Sequence, residues 1–171
     1  MKIRSGFVSN SSSCSFYIQQ PKEHLPFESI SEYFGINPDL SEEERVWLTL
    51  CIWQVLREQE SFEKSAREND SEESDYLDHR RSENVEYYLS DSNIEWMQSV
   101  DYYRRDPEYW EEAKKILEDP QRILFFDLDA NGSEDLFENS DFKVPWSVAY
   151  DLRRDADKAF TKPSKAIGIS E

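Results

Sequence analysis

The stretch Ser41-Glu42-Glu43-Glu44, followed by an apolar run to Leu56, constrains the fold of this chain more than any other segment. A serine with a glutamate three residues later is a capping box. The hydroxyl accepts from the third helical amide, and the carboxylate accepts from the cap amide. Three carboxylates in the first turn also suit the positive end of the helix dipole. Val46, Trp47, Leu48, Leu50, Cys51, Ile52, Trp53, Val55 and Leu56 then cover almost every face, which predicts a helix central to the core. The run is far shorter than the roughly 20 apolar residues of a membrane span, so no membrane partner is expected.

Other elements follow from periodicity and punctuation. Ser15–Gln19 reads as a short strand, and a brief helix over Phe27–Phe34 ends at Gly35. Asn37-Pro38 marks a turn. A polar stretch over Ser61–Asp75 continues the capped helix or connects it onward. Further helices are expected over about 75–90 and 93–104, the second opened by Ser92-Asn93-Ile94-Glu95. Asp106-Pro107 starts another, with the stripe Tyr109, Ala113, Ile116, Leu117 and a Glu111–Lys115 pair four apart. Pro120 stops it, and Ile123–Phe126 reads as a buried strand. After Pro145 a last helix carries Val148, Leu152, Ala156 and Phe160 on its core side. The expected fold class is mainly α: one helical domain with one or two short β-strands, near 15–19 and 122–127. Its parts are a Ser-rich N-terminal segment (1–20), an acidic helical domain (21–160) and a frayed C-terminal tail (161–171).

The chain has 171 residues and a formal charge of −17, from 20 basic and 37 acidic side chains. The charge is uneven. Residues 1–22 are +3, whereas residues 58–112 hold 18 acids against 6 bases, a net −12. Such a field repels phosphates and attracts basic surfaces, so direct nucleic-acid binding by the body of the protein is not expected. The 24 aromatic residues oppose a disordered polyacid. Four glycines and two histidines leave no dinucleotide fingerprint, Walker loop or Cys/His zinc spacing. No apolar run follows Lys2 and Arg4, so the N-terminus is expected to be retained and the protein cytoplasmic. Cys51, between Leu50 and Ile52, reads as a small buried hydrophobe, and a Cys14–Cys51 disulfide is not expected in a reducing compartment.

Residues 4–16, Arg-Ser-Gly-Phe-Val-Ser-Asn-Ser-Ser-Ser-Cys-Ser-Phe, resemble an R-x-G-F-V-S-N-S-S-S-S-S-F signature of uncharacterised bacterial and phage proteins, with Cys14 where serine is usual. The resemblance implies a bacterial or phage origin and carries no activity. From the residues themselves, the serines and Asn10 suit a polar turn bonded to its own backbone.

Residues 127–138 fit D-x-[DN]-x-[DN]-G-x5-E and resemble an EF-hand calcium loop. The resemblance implies Ca2+ held by Asp127, Asp129, Asn131, the Ser133 carbonyl, Asp135 through water, and Glu138, with Gly132 at the sharp turn. Glu134 departs from the aliphatic residue usual at its position. The alternative is a strand, an Asn-Gly turn and a short helix. Ile123-Leu-Phe-Phe-Asp127-Leu-Asp129 also resembles the first motif of haloacid-dehalogenase-type phosphohydrolases. That resemblance implies an Asp127 nucleophile with Asp129 as acid/base, although Asn131 departs from the threonine expected there.

His24 lies in a proline-flanked loop. Asp75 and His79 form a surface pair one helical turn apart, with no nucleophile suggested beside them. The tryptophans and tyrosines at helical spacing read as core, or in part as exposed binding anchors. The leading expectation is a non-enzymatic acidic binding protein. Its partner is a basic, nucleic-acid-binding type of protein surface, docked on and blocked by a nucleic-acid mimic built from Glu68, Asp70, Glu72, Glu73, Asp75 and Asp78. The alternatives are the calcium module and the phosphohydrolase.

Overall fold

The computed structural model describes residues 13–69, 107–119, 122–129 and 143–170. The expected helices over 75–90 and 93–104 lie outside them. The chain is mainly helical with a small antiparallel sheet. In chain order the elements are β1 (Ser13–Gln19), a 3-10 turn (Phe27–Ser29), α1 (Ile30–Phe34), α2 (Glu42–Asn69), α3 (Pro107–Ala113), a 3-10 turn (Lys114–Glu118), β2 (Ile123–Asp129), α4 (Trp146–Asp155), a 3-10 turn (Ala156–Lys158) and β3 (Ala166–Ser170).

β1 lies between β2 and β3, antiparallel to both. Cys14 through Ile18 are all buried, so the central strand is covered on both faces. Alternation sends Cys14, Phe16 and Ile18 to one side, where they join Leu124, Phe126, Leu128 and Ala166 in the core shared with α1, α2 and α4. Phe16 stacks on Phe126 at 5.0 Å and meets Phe160 edge-on at 6.2 Å. On the other side Tyr17 lies 5.2 Å from Phe125.

The third strand corrects the expectation of a frayed tail. Residues 166–170 are paired along β1, with Phe16 opposite Gly168 and Tyr17 opposite Ile167. The segment Ala-Ile-Gly-Ile-Ser is too short and too rich in small residues to order itself, and its strand forms on a partner about 150 residues away in sequence. Ile167 and Ile169 alternate with small residues, a period-2 trace that marks the strand faintly.

The capping box forms as expected. Glu44 N–H donates to Ser41 Oγ at 3.1 Å, and Ser41 N–H donates to Glu44 Oε1 at 3.3 Å. α2 runs 28 residues, so the polar stretch continues the helix as far as Asn69. Its burial is one-sided. Leu48, Cys51, Ile52, Val55 and Leu56 are in the core, Trp47 and Trp53 pack partly against it, and Val46 is 49 % exposed. The helix thus flanks the core and does not run through its centre.

Gly35 ends α1 in the left-handed conformation (φ 64°) that a side chain adopts only with strain. The chain beyond it is knitted to the segment after α4. Thr161 N–H donates to the Gly35 carbonyl, Asn37 N–H to the Ala159 carbonyl, and Asn37 Nδ2 to the Lys158 carbonyl. The stripe of the last helix is buried as the periodicity predicts, from Val148 through Leu152 and Ala156 to Phe160. After Pro107 the helix yields to a 3-10 turn at Lys114, which brings residues three apart into line. The pairs are therefore Glu111–Lys114 (2.9 Å) and Glu112–Lys115 (2.6 Å), in place of the expected Glu111–Lys115.

Candidate functional site

The side of α2 that faces the loop after β1 gathers carboxylates. Gln20 Nε2 donates to Glu63 Oε1 at 3.1 Å, as does Gln59 Nε2. On the opposite face of α2, away from this loop, Gln54 Nε2 donates to Glu58 Oε1 at 3.1 Å. His24 Nδ1 lies 3.0 and 3.2 Å from the two oxygens of Glu60. Between this loop and α2 is a cleft of about 90 Å³ lined by residues that include Gln20, Lys22, His24, Glu60 and Glu63. Its lining holds no serine, threonine or cysteine to act as a nucleophile, and the His24–Glu60 pair is largely solvent-exposed.

The type of partner decides the electrostatics. An amide donor orients a carboxylate without cancelling its charge, so Glu58 and Glu63 remain net negative. On α3 and the following turn, Glu111 and Glu112 face Lys114 and Lys115, and their fields are largely neutralised. Of the six carboxylates proposed for partner binding, Glu68 is exposed near the end of α2. Asp70, Glu72, Glu73, Asp75 and Asp78 lie outside the described residues, as does His79.

Asp127 and Asp129 lie in β2, opposite Ser15 and Ser13 of β1. Asn131, Ser133, Asp135 and Glu138 lie outside the described residues. Among the described residues no group of three or more His, Cys, Asp or Glu side chains is placed to hold a metal ion, and no helix is long and apolar enough to cross a membrane. Cys14 and Cys51 are both buried as thiols, not joined in a disulfide, and burial, with Cys14 nearby, pushes the Cys51 thiol well up.

Comparison with protein families, curated proteins and solved structures finds no match. The functional reading therefore stands on the residues of this chain alone.

Two features were not legible in the sequence. The Gln20–Glu63 and His24–Glu60 contacts join residues 43 and 36 positions apart, with no local pattern to announce them. The second is on α4, where Trp146 and Tyr150 are 62 % and 42 % exposed. Their four-residue spacing was visible, but the same spacing fits a core stripe.

Proposed function

We propose that this chain is a non-enzymatic acidic binding protein that docks on, and blocks, a basic protein surface of the kind that binds nucleic acid. The supporting observation is that α2 carboxylates are held by glutamine amides, which fix their geometry and leave their charge intact. A 28-residue helix is a rigid rod about 42 Å long. Carboxylates one turn apart along it repeat every 5–6 Å or so, a spacing comparable to successive phosphates. Glu60 and Glu63 are one turn apart on α2, and exposed Glu68 is the described member of the six carboxylates Glu68, Asp70, Glu72, Glu73, Asp75 and Asp78.

Complementary charge of this kind gives fast, salt-sensitive association. The immobilised chain, offered a bacterial lysate, retains a basic nucleic-acid-binding protein at low salt. It releases that protein by several hundred millimolar salt, where the screening length falls below about 5 Å. Duplex DNA competes, and a variant with the six carboxylates converted to amides retains little. Retention unchanged at high salt overturns the proposal in favour of an apolar contact. The alternative, a calcium module at residues 127–138, rests on residue spacing alone.

A further inference from the structure

We draw no further inference here: the strongest candidate, the exposed surface patch formed by the stacked Trp146 and Tyr150 rings on α4, carries nothing because no feature among the described residues shows what covers it.

Discussion

Glu44, in the first turn of α2, has its carboxyl group beside that of Asp155 at the end of α4. Glu44 is 3 % exposed, and its Oε2 finds no hydrogen-bond donor among the described residues while both groups are ionised. Burial first, and then the contact with Asp155, raise the Glu44 carboxyl above its usual value of 4.5. The Arg154 guanidinium, at 2.9 and 3.2 Å, holds Asp155 below its usual 3.8. In its protonated form Glu44 is the donor and ionised Asp155 the acceptor, and the contact then clips the start of one helix to the end of another.

The consequence is a pH-dependent stability term. Asp155 contributes stability above about pH 3.8 and loses it as pH falls through its lowered folded value. Glu44 contributes below about pH 4.5 and loses it as pH rises through its raised folded value. Between the two folded values the clip is intact. Glu44→Gln keeps an acceptor for Ser41 N–H and supplies an uncharged donor to Asp155 at every pH. It should match the wild type in urea melts near pH 4 and exceed it at pH 7 by about 1 kcal/mol, the usual net worth of a hydrogen bond. A difference independent of pH would show that the pair does not share a proton.

Gly168→Ala should be severely destabilising. A Cβ at Gly168 would stand 2.0 Å from the Ala156 carbonyl oxygen and 3.0 Å from the Phe16 ring. The first obstacle is backbone and cannot rotate away, so β3 must separate from the turn after α4. Overpacking costs about 1–3 kcal/mol, and this contact belongs at or above the upper end. A domain of this size loses about 2–4 °C per kcal/mol, so the melting temperature should fall by roughly 10 °C. A fall below about 2 °C would mean that β3 is not held against that turn.

Cys51 should resist thiol reagents until the protein unfolds. Its side chain is fully buried, and the raised thiol leaves almost no thiolate at neutral pH. Labelling should track global unfolding in denaturant. Cys51→Ser, which places a hydroxyl among Leu48, Ile52 and their neighbours, should cost about 1–3 kcal/mol. Stoichiometric labelling of Cys51 in the native protein would contradict its place in the core.

What the sequence revealed was local. The capping box at Ser41, the Gly35 stop, the Pro107 and Pro145 helix starts and the buried stripe of α4 each depend on residues within a few positions of one another. What it concealed was long-range. β3 exists because Ile167 lies beside Tyr17, and the one-sided burial of α2 exists because α1 and α4 pack on only one side of it. The exposed Trp146–Tyr150 pair had the spacing of a core stripe and differs from one only in which way α4 is turned. That orientation is set by Val148 and Leu152, which are aliphatic and win the core.

Residues 127–138 should show no stabilisation by calcium. Calcium takes six to eight oxygens, which an EF-hand loop supplies by wrapping alternate residues around a tight turn. Here the first two would-be ligands lie in an extended strand, with Asp127 opposite Ser15 and Asp129 opposite Ser13. An EF-hand loop coils from its first ligand onward, whereas the backbone at Asp127 and Asp129 is extended and paired along β1. Bending the strand there would break the last β1–β2 pairing, and that cost opposes binding. Millimolar calcium should thus give neither titration heat nor a change in melting temperature, in the wild type and in Glu138→Gln alike. A calcium-dependent rise of several degrees, lost in both Asp127→Ala and Glu138→Gln, would establish the loop as a metal site and place the end of β2 in a different conformation when loaded.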